Sequence, residues 1–305
     1  MKPFDLQVNG YAGTDFCSLD LTGEQLNTAC QALEADGVDS ILATVITDSV
    51  GRLEEKLRNL VELREKDPLA QRMITGFHVE GPFLSPEPGF IGAHPVNEVK
   101  RANGEDARRL FDASGGLIRL FTLAPEMDAG GAVTRYLTDL SVVVSAGHTN
   151  ASLDELHCAL DQGLSMVTHL GNGCPVSLPR HDNIVQRVLS LRDRLWTCFI
   201  ADGHHVDFFA LRNYLDLVGV DRAIMVTDSI SAATMGPGTH TLSGSDVEVD
   251  AEGVARRPGS PNLAGSTLTM PRLQENLREY LGMSDSEIRQ LIDLNPRNAL
   301  KREIL

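Results

Sequence analysis

The sequence predicts an α/β protein built as a (β/α)8 barrel, a TIM barrel, and three observations carry that prediction. Eight short runs rich in Val, Ile and Leu recur along the 305 residues, at 4–8, 38–46, 73–79, 117–123, 140–146, 164–168, 195–200 and 222–227. They are apolar on both sides of the pleat, as strands covered on both faces are. Helix-patterned segments separate them, which implies parallel pairing, right-handed crossovers and closure. Most of the runs also end in a cluster of groups able to bind a metal or move a proton. Such groups converge on one face only if the strands are parallel and close into a barrel, and that face is where the fold keeps its chemistry.

Each element has a local reason. Thr22 with Gln25, and Ser152 with Glu155, have capping-box spacing at the starts of helices. Pro271 suits a first helical position, and Ser284 with Glu287 caps a further helix. One connection is long. Residues 229–270, after strand eight, hold two β-like runs near Thr239–Leu242 and Val247–Val254, punctuated by Gly, Pro and Ser. A long βα excursion on this face predicts a hairpin-like insertion or lid rather than disorder. The expectation is one barrel domain over residues 1–305 with this insertion inside it.

Composition narrows the function. The net charge of −15 argues against a nucleic-acid partner, although a local basic pocket still admits a phosphorylated small molecule. No apolar stretch approaches the length of a membrane span. Met1-Lys2-Pro3-Phe4-Asp5 leads straight into a strand without an apolar signal region. Cys17, Cys30, Cys158, Cys174 and Cys198 are scattered and odd in number. They read as reduced thiols, so a cytoplasmic protein is expected.

The clusters are Gln7-Val8-Asn9, His78-Val79-Glu80, Gly147-His148-Thr149, Thr168-His169-Leu170, Ala201-Asp202-Gly203-His204-His205 and Thr227-Asp228-Ser229. Glu80, His148 and His169 stand at the ends of strands three, five and six. A carboxylate and two imidazoles suit Zn²⁺, with Fe²⁺ or another divalent ion as alternatives, and three protein ligands leave a position open for water. Such an ion lowers the pKa of its water from about 15.7 to roughly 7. Asp228 is placed as general base, and His94, in Gly92-Ala93-His94-Pro95, to polarise a carbonyl beside the metal. Taken singly, each histidine reads as a structural residue at even odds or better. Jointly, those bland readings need independent accidents at one end of several strands. His78 points to the same side of its strand as Glu80, so ligand and supporting roles both stay open. Of His204 and His205, one is expected to face a substrate.

Read together, Asp5–Phe16 (DLQVNGYAGTDF), Gly76–Leu84 (GFHVEGPFL), Gly92–Pro95 (GAHP), Gly147–Ser152 (GHTNAS), Thr168–Asn172 (THLGN), Ala201–Asp207 (ADGHHVD), Val226–Ser229 (VTDS) and Leu263–Met270 (LAGSTLTM) run through the chain in order. The sequence resembles the N-acetylglucosamine-6-phosphate deacetylases of the amidohydrolase superfamily. The resemblance implies one divalent ion per subunit on Glu80, His148 and His169, an acid/base role for Asp228, and Gln7 and Asn9 where two-metal relatives carry His-x-His. It places Gln7 on the activated water. Its sugar-binding positions fall on Ala93, His94, Asn172, Gly173, His205, Leu263, Ala264 and Gly265. The implied reaction releases acetate from an amino-sugar phosphate. The resemblance admits a homodimer, for which no residue pattern argues.

Two departures from the family pattern stand out. The family's small β-sandwich is expected to be missing, since strand one starts near residue 4 and the chain stops after Asn295–Leu300. The stretch after His169 is also unusual: Arg180 has the separation of the family's phosphate-binding arginine, but its neighbours differ. Arg180 is therefore assigned to phosphate, with His181 able to share the role, and with a structural salt bridge to Asp182 or another acid as the alternative reading. A metal-dependent amidohydrolase for another N-acyl amino sugar or an N-acyl amino acid stays open, as does, more remotely, a silent sugar-phosphate-binding barrel.

Overall fold

Eight apolar runs become eight mutually covered strands, because each buries both of its faces. The computed structural model describes residues 1–260 and 262–301. The strands are β1 (Phe4–Val8), β2 (Ser40–Ile46), β3 (Ile74–Glu80), β4 (Ile118–Leu123), β5 (Val143–Ala146), β6 (Leu164–Val167), β7 (Trp196–Ile200) and β8 (Ala223–Val226). Neighbours follow chain order from β1 to β8, and every pair is parallel.

The seam between β8 and β1 closes through a few polar contacts. Val8 bridges Ser229, and the Asn9 and Gly10 N–H groups donate to the Ser229 carbonyl at 2.7 and 3.2 Å. Asp5 reinforces the seam inside the wall, its carboxylate accepting Thr227 Oγ1 at 2.6 Å. Burial pushes that carboxyl up to about 7, against the hydrogen bonds from Thr227 and Gln7.

Helix starts follow their caps. Thr22 with Gln25 opens Gly23–Ala35, Ser152 with Glu155 opens Leu153–Asp161, and Ser284 with Glu287 opens Asp285–Arg289, each as a reciprocal capping box. Thr269 caps Met270–Glu279, with Pro271 in its first turn. The expected strand at 140–146 is shorter: Leu140 ends the preceding helix and Ser141 turns with φ 62°, so β5 begins at Val143.

Residues 229–270 contain a three-stranded antiparallel sheet: β9 (Gly238–Leu242), β10 (Ser245–Val249) and β11 (Ala255–Arg256). Ser243 and Gly244 make the β9–β10 turn with φ 52° and 74°, the paired positive values that suit a two-residue hairpin. The expected continuous run over Val247–Val254 is split. Asp250 Oδ1 accepts the N–H groups of Glu252 and Val254, and Gly253 turns the chain at φ 84°. The hairpin tip is seated on the barrel. Lys56, its side chain 1% exposed, donates to Asp48 at 2.7 Å and to Ser243 Oγ at 2.9 Å.

Candidate active site

Because parallel strands share one polarity, the polar residues that end them meet. Glu80 is the last residue of β3, and His148, His169 and Asp228 each lie two residues beyond β5, β6 and β8. His148, His169 and Asp228 adopt φ of 50°, 32° and 51°. This left-handed region costs a non-glycine residue of order 1 kcal/mol or more and clusters at functional sites. All four line a cavity of about 450 Å³.

Glu80 is the centre of the cluster. Its Oε1 lies 2.9 Å from His169 Nε2 and 3.4 Å from His148 Nε2. One atom from each of the three residues falls within 4.8 Å of the others, and all three residues are buried. Burial works against the Glu80 charge, but His148 and His169 hold its carboxyl well below its ordinary value. Glu80 in turn pushes His169 up, against burial.

The donor set fits a divalent ion. His148 Nδ1 lies 2.9 Å from the Phe90 carbonyl. A carbonyl only accepts, so Nδ1 carries the proton and Nε2 keeps its lone pair toward the cluster, the second contact typical of metal-ligating histidines. Gly92 and Gly173 make room for this ring: a Cβ on either would come within 2.9 and 2.8 Å of it.

Asp228 sits beside the cluster and accepts Asn9 Nδ2 at 2.7 Å. Burial, then the Glu80 charge, pushes its carboxyl up to about 6. His94 Nε2 is 3.2 Å from His148 Nε2, and His94 Nδ1 is 2.9 Å from Thr47 Oγ1. Burial first, with the neighbouring His148 ring, pulls His94 down to about 3.

Asn9, Ala93, His94, Asn172, Gly173, His205, Leu263 and Gly265 all line the cavity. Ala264 is fully buried behind it, its N–H donating to the Ala255 carbonyl. Gln7 donates to Glu80 Oε2 at 3.2 Å, so its direct contact is the carboxylate rather than the cavity. His78 is not drawn into the cluster. Its Nε2 meets Thr122 Oγ1 at 2.7 Å in a buried chain that continues through Thr168 to Ser145. Both His204 and His205 border the cavity, where one was expected. Asp202 accepts both backbone N–H groups at 2.9 Å and holds the His205 ring, whose Nδ1 is 2.6 Å from Asp202 Oδ2.

Arg180 is exposed and is not among the residues lining the cavity. The alternative partner, Asp182, pairs instead with Arg187 at 2.6 Å. Thr47 and Phe90 support the site and were missed from sequence, because their contacts cross between loops, whereas Asp202 lies in the cluster read from sequence and holds His205 within one loop. Arg257 was missed too: it is half-buried, and its Nε is buried without a partner among the described residues.

No protein-family model matches the chain. It is 31% identical over 298 residues to the N-acetylglucosamine-6-phosphate deacetylase of Bacillus subtilis (strain 168), covering 97% of this chain and 74% of that protein. It is 29% identical over 297 residues to the N-acetylgalactosamine-6-phosphate deacetylase of Escherichia coli O157:H7, covering 97% and 76%. Among solved structures, a mutant N-acetyl-D-glucosamine-6-phosphate deacetylase from Mycobacterium smegmatis, in complex with N-acetyl-D-glucosamine-6-phosphate, matches with a TM-score of 0.89. That match is 29% identical and covers 98% of this chain and 77% of the other. The Pasteurella multocida N-acetylglucosamine-6-phosphate deacetylase matches at 0.87, with 27% identity over 98% of this chain and 76% of the other. With the barrel, the cluster at its carboxyl end and these likenesses in agreement, the chain belongs to the N-acetylglucosamine-6-phosphate deacetylase family.

Proposed function

We propose that the protein hydrolyses the acetamido group of N-acetylglucosamine 6-phosphate, giving glucosamine 6-phosphate and acetate. The observation that carries this is a single cavity holding a buried Glu/His/His cluster beside a carboxyl raised to about 6. In this reading Glu80, His148 and His169 hold one divalent ion, Zn²⁺ first, with Fe²⁺ or another divalent ion as alternatives. When bound, the ion supplies Lewis acidity and brings the pKa of a water toward about 7.

The chain's own residues do the rest. Asp228 takes a proton from the attacking water as its oxygen bonds to the acetyl carbon. It then delivers that proton to the amine nitrogen as the C–N bond breaks. A buried carboxylate beside the cluster can take that proton and give it back, which suits both halves of the transfer. Asn9 fixes the Asp228 carboxylate, and Gln7 fixes Glu80. His94 donates to the carbonyl oxygen as negative charge develops there. Ala93, Asn172, Gly173, His205 and the Leu263–Gly265 segment shape the sugar site, and a cationic side chain near the mouth takes the phosphate.

The five cysteines are all free, which fits a reducing compartment and a cytoplasmic enzyme. Among the described residues no helix is long and apolar enough to cross a membrane. Chelation followed by Zn²⁺ titration tests the core of the reading. Acetate release should vanish on chelation and return in full at one equivalent per chain. Undiminished release from fully chelated protein would contradict it.

A further inference from the structure

The chain that follows His169 lines the cavity from Gly171 to Leu178, leaves it, and returns at Val185 in the helix Ile184–Ser190. Short contacts fold the stretch between. Asn183 caps the helix, its Oδ1 accepting the Gln186 N–H at 3.1 Å, and its Nδ2 donates back to the Pro179 carbonyl at 2.8 Å. Asp182, its side chain 82% exposed, accepts Arg187 Nε at 2.6 Å.

Arg187 reaches further than its own turn. Its side chain is only 15% exposed, and Nη1 donates to the Asn150 and Ala151 carbonyls at 3.2 and 3.0 Å. Those carbonyls belong to the loop after His148, and that loop is itself tied down. Glu126 accepts the Asn150 N–H at 2.7 Å and the Thr149 hydroxyl, and Glu87 accepts Asn150 Nδ2 at 2.9 Å. One rigid guanidinium fork thus has its Nε arm on the returning end of the substrate wall and its Nη1 arm on the anchored metal side. Arg187 is not among the residues lining the cavity, so any effect on a substrate passes through the wall it holds.

We propose that Arg187 is a positioning residue for substrate choice, clamping the wall from Gly171 to Val185 against the loop after His148. The role rests on the deacetylase reading, in which this wall meets the sugar phosphate. Without the fork the wall keeps its sequence but loses its fixed distance from the metal side, so binding suffers before chemistry does.

The test uses zinc-loaded full-length Arg187→Met, Arg187→Lys and Asp182→Asn. Zinc content, steady-state kinetics on N-acetylglucosamine 6-phosphate and N-acetylgalactosamine 6-phosphate, and hydrogen exchange over residues 171–185 are measured on each. Arg187→Met should raise KM by about tenfold, the worth of one charge-assisted hydrogen bond. Its kcat should stay within about threefold of wild type, with zinc at one equivalent, as for a loss of uniform binding. Its preference between the two sugars should narrow, and exchange over 171–185 should quicken by about tenfold. Arg187→Lys should fall between the two, because an ammonium has no fork. Asp182→Asn weakens the Nε arm alone at an exposed position, should raise KM by about threefold, and serves if Arg187→Met does not fold. Arg187→Met with wild-type KM and sugar preference would overturn the proposal, however far its Tm falls. So would unchanged exchange over 171–185, wild-type KM in Asp182→Asn, or a loss confined to kcat and zinc, which would make Arg187 a support of His148 alone. Wild-type protein inactive on both sugar phosphates would defeat the deacetylase reading instead, while the exchange data still decide whether the clamp exists.

Discussion

Two walls of one cavity are built on different principles. The wall of Glu80, His148, His169, His94 and Asp228 is buried, and each of these side chains meets at least one protein partner within 3.2 Å. The other wall, from Gly171 to Leu178, is loop: Val176 is fully exposed, and Cys174 Sγ reaches the Gly171 carbonyl at 3.7 Å. The first wall has one arrangement to offer and spends backbone strain at three residues to hold it. The second is the surface on which one barrel can exchange substrates without changing its chemistry.

The largest effects should come from the rigid wall. His148→Ala should lose retained metal and turnover together, down to the detection limit of metal analysis and acetate release. Asp228→Asn should keep the metal and lose roughly 10²- to 10⁴-fold in kcat, the span of a general acid/base. Metal analysis beside kinetics separates the two roles, and near-normal turnover in Asp228→Asn would remove the acid/base assignment.

An intermediate effect joins the walls. Gly173 belongs to the loop but touches the rigid side, where an added Cβ meets His148 Nδ1 at 2.8 Å and φ is 59°. Gly173→Ala should displace the ring and weaken metal affinity by about tenfold or more, as loss of a metal's supporting contacts does. A variant with unchanged zinc affinity would show that the loop does not brace the cluster.

On the loop wall the effects should be confined to binding. Arg180→Gln and Arg257→Gln separate two candidates for the phosphate: neither is among the residues lining the cavity, Arg180 is exposed and Arg257 half-buried, and the charge of Arg257 is felt by His94. The residue that pairs with phosphate should raise KM by about tenfold on removal, the worth of one charge-assisted hydrogen bond. The other should leave KM unchanged.

The smallest effect lies beneath both walls. Asp5 in the seam has its carboxyl raised to about 7, above its unfolded value near 4. Between those values the folded state binds the extra proton, so this group's contribution to stability falls as pH rises through the window. Asp5→Asn should therefore flatten the fall of Tm between about pH 4 and pH 7 relative to wild type. Parallel Tm curves for the two proteins would remove Asp5 as the cause.

The same division explains what the sequence made legible. Strand count, strand order and the polar strand ends could be read because buried parallel strands need continuous apolar runs and chain polarity fixes which end is shared. Glu80, His148, His169 and Asp228 were visible for that reason. Thr47 and Phe90 were not, because a hydrogen bond between loops leaves no periodic trace. Arg180 was chosen by its separation from His169, and it stands exposed outside the cavity lining. The break at Asp250–Gly253 was lost inside an apparently continuous β-like run for want of weighing the Asp and Gly turn chemistry.

The most direct test of the central claim is acetate release by zinc-loaded protein from N-acetylglucosamine 6-phosphate, with N-acetylglucosamine and N-acetylgalactosamine 6-phosphate measured beside it. The account predicts turnover of N-acetylglucosamine 6-phosphate with the highest kcat/KM of the three and a strong loss when the phosphate is absent. A protein that retains its zinc yet releases acetate from none of them would contradict it, and would mean that the loop wall has turned a working hydrolase toward another amide.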